Sequence, residues 1–337
     1  MPFPALDDTL HYVAKRIDAH IHFSGNHPDN IRYLRERDIK LINICYADGP
    51  VDWREQRRRY RDLSNNFADC YAWCTTFDPP QFLVPDSEYV DRIIAELKTD
   101  FDSGAVAAKI WKNIGMEAQK PTGEFVLVDH PLFEPVFDFI EKADKPILMH
   151  IGEPRACWQP LDERSPHYGY YKAHPQWHMY GKTRFPTHEQ LIAARDRVLE
   201  QHPRIRFIGA HLGSLEYDVE EVARRLDSYP NFVVDTSARI LDLILQDNEK
   251  VAAFLNLYQD RVLYGSDFME NEEQSTLDLK GRESVLEQLT DTYSGEVGYL
   301  IEAGPMNYGG RTHKGLALSS SVAQKILFEN ARNCYSV

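Results

Sequence analysis

Histidines and aspartates end several apolar runs of the sequence, and their spacing could place them around one metal ion. His20 and His22 are separated by one residue, so both imidazoles lie on one face of a strand and can chelate the same ion. A solvated or core-packed histidine pair is the alternative. His150, His211 and Asp267 end three later runs, and imidazole with carboxylate suits zinc, manganese, iron or cobalt. The five residues together predict a metal site.

The lack of cysteine among these candidates argues against a closed structural zinc site. A catalytic site keeps one coordination position for water, and a divalent ion lowers the pKa of that water from ~15.7 to about 7. The residue types therefore predict hydrolytic or related metal-dependent chemistry rather than a purely structural ion.

The elements that carry these residues alternate between strand-like and helix-like patterns. Eight short apolar runs are typical of parallel strands covered by helices. They lie at 16–22, 41–45, 70–77, 106–111, 146–150, 206–211, 232–237 and 262–267. Helical periodicity appears between them, for example at 90–97, 132–140 and 191–199. We predict an α/β fold, a single (β/α)8 TIM barrel over residues 1–337, with the candidate residues at one rim.

Two long connections follow predicted strands 5 and 8. The first, at 152–187, is rich in tyrosine, tryptophan and histidine, and the second runs from Asp267 to about Gly310. Loops at the carboxyl ends of barrel strands build active sites. An aromatic loop there predicts either a substrate lid or a subunit contact, and we expect a homodimer.

The composition excludes several classes of protein. Thirty-eight basic and 52 acidic residues give a formal net charge of −14, which disfavours nucleic acid and anionic membranes as partners. The basic run at 54–61 also contains an acid, and we interpret it as a solvated helix face. The five cysteines are irregularly spaced, and we find neither a signal peptide nor a transmembrane run. We expect a cytoplasmic protein.

The ordered set of motifs resembles the amidohydrolase superfamily, in the branch that includes aminocarboxymuconate semialdehyde decarboxylase-like proteins. The motifs are Asp-x-His-x-His at 18–22, His150 after a strand, Ala-His-Leu-Gly at 210–213 and Gly-Ser-Asp at 265–267. The resemblance extends over about residues 16–333. It implies the barrel and one divalent ion, with zinc the first expectation.

Carried over by position, the resemblance implies His20, His22, His150 and Asp267 as metal ligands. It places His211 beside the metal, where it would polarise the substrate or activate water, and gives Asp267 a second role in moving a proton. For Asp18 we favour a hydrogen-bonded support over a ligand.

Further candidates come from the fourth run and from the loop after His150. Lys109 could bridge two metals as a carboxylated lysine, orient an anionic substrate or reach solvent, and Lys112 could face the site instead. Arg155 could hold a carboxylate by two parallel hydrogen bonds, and Trp158 is a further candidate for substrate contact. Glu153, Arg184 and Arg239 are further candidates for substrate contact. One metal is the expectation.

Three functions remain open at this point. The first is a hydrolase that uses metal-activated water on a small amide, lactone or related ester. The alternative is a non-oxidative decarboxylase of an unsaturated or aromatic carboxylic acid. The third is a non-enzymatic barrel that keeps metal only for stability, which predicts missing ligands, and none of the five positions is missing.

Overall fold

The computed structural model describes residues 15–48, 52–78, 87–270 and 279–337. Eight parallel strands form one sheet in chain order. They are β1 (Arg16–Ile21), β2 (Ile39–Ile44), β3 (Tyr71–Thr76), β4 (Ala107–Ile110), β5 (Ile147–Met149), β6 (Phe207–Gly209), β7 (Phe232–Asp235) and β8 (Val262–Leu263). All eight predicted strands are confirmed, and most are shorter than the apolar run that indicated them.

The sheet closes between its first and last strands. The backbone amide of Ala19 in β1 donates to the carbonyl of Tyr264, directly after β8, at 2.9 Å. This strand order, with helices between the strands, is that of a (β/α)8 TIM barrel, as the sequence predicts.

Helices connect the strands and carry apolar residues on the faces that they bury. Their bounds are Pro28–Glu36, Trp53–Asn66, Ser87–Asp102, Glu134–Lys142, Tyr168–Ala173, His188–Gln201, Val219–Ser228, Ile240–Ile244, Asn248–Leu257, Leu279–Ile301, Ser320–Gln324 and Asn330–Tyr335. The three predicted helical segments all lie in helices, although the segment at 132–140 begins in a 3-10 turn, Pro131–Phe133. None of the helices in the described ranges is both long and apolar enough to cross a membrane.

The connection after β8 differs from the predicted long loop. It contains the helix Leu279–Ile301 and a hairpin formed by β9 (Pro305–Tyr308) and β10 (Arg311–Lys314). The helix buries Val285, Leu289 and Tyr293, which recur every four residues and so lie on one face. The connection after β5, by contrast, holds only short helical turns up to His188, as expected.

The chain divides into two compact units. The first comprises residues 1–44, 55–73 and 235–337, and the second comprises residues 45–54 and 74–234. Each unit has fully buried apolar strand residues, such as Leu41 and Leu263 in the first and Leu148 and Ile208 in the second.

Candidate metal centre

Three potential metal donors lie together in the first unit. Nε2 of His20 is 3.5 Å from Oδ1 of Asp267, and Nε2 of His22 is 3.4 Å from the same oxygen. His20 is fully buried and His22 is 7% exposed. Two ligands that are each about 2.1 Å from a tetrahedral zinc ion lie about 3.4 Å apart. The separations therefore suit one ion held by both histidines and the aspartate.

Backbone hydrogen bonds between β1 and the segment after β8 hold these donors in register. The amide of Asp267 donates to the carbonyl of His20 at 2.8 Å, and the amide of His22 donates to the carbonyl of Phe268 at 2.9 Å. Asp267 has φ 57°, a left-handed conformation that is unfavourable for a residue with a side chain. Such strain persists only where its surroundings enforce it, and it is common at functional sites.

Asp235 orients the ring of His20 and is a residue that the sequence reasoning missed. Its Oδ2 is 2.9 Å from Nδ1 of His20, and the hydroxyl of Ser237 is 3.1 Å from the same nitrogen. A partner at Nδ1 leaves Nε2 to face Asp267, which is the arrangement that supports a metal-binding histidine. Asp235 ends the apolar run of β7, and that position is the signal that could have identified it.

Asp18 accepts hydrogen bonds at both carboxylate oxygens. Oδ1 accepts from the amides of His20 and Ser266, at 3.2 and 3.0 Å. Oδ2 accepts from the hydroxyls of Ser266 and Tyr293, at 2.5 and 3.0 Å. Burial raises the pKa of Asp18 to about 6 despite these bonds. The four bonds match the hydrogen-bonded support that we expected for Asp18.

A second buried carboxyl group, that of Glu296, lies in the long helix after β8. It accepts hydrogen bonds from the hydroxyls of Tyr264 and Tyr308, at 2.7 and 2.9 Å. Burial raises the pKa of Glu296 to about 8. Burial outweighs these two hydrogen bonds, which lower the pKa, and so keeps this carboxyl group protonated at neutral pH.

In the second unit, His150 and His211 form an edge-to-face pair after β5 and β6. Their ring centroids are 4.3 Å apart at an interplanar angle of 69°, and both residues are buried. His211 begins a run of four left-handed residues that ends at Ser214, with φ between 57° and 65°. A Cβ atom at Gly213 in this run would lie 2.9 Å from a guanidinium nitrogen of Arg195, so the turn favours glycine there.

Lys112 forms a buried ion pair with Glu153 in the second unit. Its ammonium bonds the Glu153 carboxylate and lies 3.2 Å from the hydroxyl of Tyr170. It also lies 4.1 Å from the ring centroid of Trp177, a cation–π contact. Burial is the largest single influence and lowers the pKa of Lys112, but the charges and hydrogen bonds of Glu153 and Tyr170 together outweigh burial and leave the pKa raised. Lys109 is buried within β4. A substrate role for either lysine remains a prediction.

The other predicted substrate contacts have partners within the second unit. The guanidinium of exposed Arg155 lies 4.5 Å from the ring centroid of Tyr217. The indole of Trp158 donates to the carbonyl of Pro186 at 3.0 Å. These contacts brace the loop after β5, and binding of substrate by Arg155 and Trp158 remains a prediction.

The aromatic loop after β5 is partly buried within its own unit. Tyr171 and Trp177 are buried, whereas Tyr170 and Tyr180 are 41% and 54% exposed. The loop lines one wall of a cavity of about 490 Å³ with Trp177, Met179 and Phe185. The substrate lid and the homodimer both remain predictions.

The sequence matches the family model described as amidohydrolase over residues 17–337. Among solved structures, 2,6-dihydroxybenzoate decarboxylase from Rhizobium is 19% identical with a TM-score of 0.52, and the match covers 92% of this chain and 88% of that one. No protein in the set of curated proteins matches the sequence.

Two further solved structures resemble the chain with the same TM-score of 0.52. A dihydroxybenzoic acid decarboxylase from Polaromonas sp. JS666, with bound manganese and 2-nitroresorcinol, is 15% identical over 96% of this chain and 97% of its own. A probable 2-pyrone-4,6-dicarboxylic acid hydrolase from Acinetobacter baumannii, with bound citric acid, is 9% identical over 96% and 100%. At these identities the likeness shows the fold.

Proposed function

Because the chain belongs to the amidohydrolase family, whose model it matches over residues 17–337, we propose that it is a metal-dependent, non-oxidative decarboxylase of a small aromatic or unsaturated carboxylic acid. The observation that carries the metal dependence is the convergence of His20, His22 and Asp267. Decarboxylation is favoured over our first hypothesis, hydrolysis, because two of the three similar structures above are decarboxylases of hydroxylated benzoates.

The donor set fits a divalent ion. His20, His22 and Asp267 would hold it, with His150 as the further ligand that the family resemblance implies, and Asp235 would keep the His20 ring oriented. Such an ion, when bound, supplies a Lewis acid that binds and polarises substrate oxygens. Manganese is bound by the decarboxylase from Polaromonas, and zinc remains the alternative that the ligand types suggest.

The chain's own residues would move the proton and hold the substrate. In the proposed step, the Asp267 carboxylate takes up a proton from solvent and donates it to the carbon that bears the substrate carboxylate, where a new carbon–hydrogen bond forms. The bond from that carbon to the carboxylate then breaks. Its electron pair returns to the unsaturated system, and carbon dioxide leaves. His211, which is 3% exposed, would orient the substrate by a hydrogen bond.

Hydrolysis of a lactone or related ester is the second candidate. It is favoured by the similarity to the probable 2-pyrone-4,6-dicarboxylic acid hydrolase, which extends over that entire chain. In this reaction Asp267 would take a proton from the attacking water and pass it to the leaving oxygen.

A substrate screen with a controlled metal content separates the two candidates. The full chain, stripped with a chelator and reloaded with manganese or zinc, is incubated with hydroxybenzoates, unsaturated acids and lactones. Carbon dioxide released from an acid, only by the reloaded protein, is the expected result. Acid released from lactones with no carbon dioxide from any acid would overturn decarboxylation in favour of hydrolysis.

His211→Ala should then abolish the activity that the screen finds, because this variant lacks the group that orients the substrate. His27→Ala removes a half-exposed histidine outside the candidate site and serves as the matched control. Full activity in His211→Ala would contradict the role of His211. The metal dependence is tested separately, by the activity of the protein stripped of metal.

A further inference from the structure

We propose a second divalent-cation site in the second unit, formed by Glu134, Asp138 and His202. One donor atom from each of these side chains lies within 4.8 Å of the others. Nε2 of His202 is 3.4 Å from Oε2 of Glu134, about the distance between two ligands of one tetrahedral zinc ion. The site shares no residue with the candidate metal centre.

Local structure brings the three side chains together. Glu134 and Asp138 are four residues apart in the helix Glu134–Lys142, so their carboxylates lie on the same face. His202 caps the carboxyl end of the helix His188–Gln201. The cation would therefore link two helices of the second unit.

His202 is held in a defined position. Its backbone amide donates to the carbonyl of Val198 at 3.0 Å, and its carbonyl accepts from the side-chain amide of Asn231 at 3.1 Å. Its ring centroid lies 5.0 Å from that of Phe137. This packing fixes the imidazole before any ion binds, which lowers the entropy cost of forming the site.

The imidazole nitrogen that faces the carboxylates provides an independent observation. Nε2 of His202 is buried and makes no hydrogen bond within the described ranges, although the whole residue is only 4% exposed. A buried polar atom without a hydrogen bond is unfavourable, and such an atom calls for an explanation. A cation bound by Nε2 supplies the missing interaction.

The chemistry of the three groups selects a divalent transition metal. One neutral imidazole and two carboxylates carry a charge of about −2, and nitrogen with oxygen donors suits zinc, cobalt or manganese. Glu134 and Asp138 are exposed, so water would complete the coordination. With two exposed ligands we expect weaker binding than at the buried candidate metal centre, and a structural effect on the two helices.

Equilibrium dialysis of the full chain against zinc, followed by metal analysis, tests the site. The wild type should bind one more equivalent of zinc than His202→Gln, and than the double variant Glu134→Gln/Asp138→Asn. The double variant changes two exposed residues and should fold normally, which circular dichroism checks. Glu141→Gln is the matched control, because Glu141 lies on the same helix but pairs with Arg204.

Thermal unfolding with and without zinc provides the second measurement. Zinc should raise the Tm of the wild type and of Glu141→Gln by more than it raises the Tm of the two site variants. If Nε2 only pairs with Glu134, all four proteins will bind equal equivalents of zinc and gain equally in Tm. That result would overturn the second site and leave the proposed function intact.

Discussion

Two buried carboxyl groups of the first unit and one of the second have different surroundings. In the first, Asp18 and Glu296 accept hydrogen bonds from hydroxyl and amide groups, and neither forms an ion pair with lysine or arginine among the described residues. In the second, Glu153 pairs with the ammonium of Lys112. The pKa of Asp18 is raised to about 6 and that of Glu296 to about 8, both by burial.

The difference concerns which buried carboxylates are neutralised by a cationic side chain of the protein itself. The ion pair of the second unit is complete without any ligand. In the first unit, the carboxylates of Asp235 and Asp267 lie against the ring of His20, and a cation bound there would stabilise them. The candidate metal centre of the first unit is therefore suited to hold a cation, whereas the Lys112–Glu153 pair of the second unit is neutralised within the chain.

The largest effect is expected from Asp267→Asn, which removes a charged donor and the proposed proton carrier at constant size. Activity of the manganese-loaded enzyme should fall by about 10³-fold, with loss of bound metal. Metal analysis and initial rates on the substrate found by the screen check this. Metal content and rates within about twofold of the wild type would mean that the first unit needs no carboxylate to hold its ion.

Lys112→Met should destabilise the second unit because it leaves the Glu153 carboxylate buried without its cation. Loss of one partner of a buried ion pair costs about 3 kcal/mol of unfolding free energy. The double variant Lys112→Met/Glu153→Gln removes both charges and should recover most of this loss. Urea unfolding measures all three proteins, and equal losses in single and double variants would show that the charge of Glu153 is not the cause.

Asp235→Asn should weaken metal binding by about 10–100-fold, because the His20 ring loses the carboxylate that orients it. Competition with a chromogenic chelator measures the Kd. Ser237→Ala removes the weaker partner of the same nitrogen, 3.1 Å away, and should have a smaller effect. Equal effects of the two variants would contradict a special role for the carboxylate.

Glu296→Gln should have the smallest effect on metal binding and activity, and its effect on stability should depend on pH. The folded-state pKa of about 8 lies above the ordinary value of 4.5, so the folded protein holds a proton that the unfolded chain releases. Stability is therefore lost as pH rises from 4.5 to 8. For a shift of this size, the variant should be more stable than the wild type by about 4 kcal/mol at pH 8, and equal to it near pH 4.5. Parallel Tm profiles over this range would argue against a protonated Glu296.

The sequence predicts the strands well because each buried strand is a short run of consecutive apolar residues. Eight apolar runs correspond to eight strands, and the alternation at 18–22 brings His20 and His22 together. The helix Leu279–Ile301 was missed although Val285 and Leu289 have the correct spacing, because its mixed composition hides one apolar face.

The partners of the site residues were harder to predict because they depend on contacts far along the chain. Asp235 contacts His20 from 215 residues away, and no local pattern reports that distance. Lys112 lies two residues beyond the end of β4, where alternation no longer fixes the direction of a side chain. Its ion pair with Glu153 could be found only from the folded chain.

The backbone ladder between β1 and the segment after β8 has a consequence for how such proteins diversify. His20, His22 and Asp267 are all borne by this one ladder, and the loop after β5 contributes none of the three. Insertions and substitutions in that loop can accumulate over generations and alter what the protein acts on. The three metal-binding side chains would keep their spacing while the loop changes, so substrate specificity could evolve without loss of the metal site.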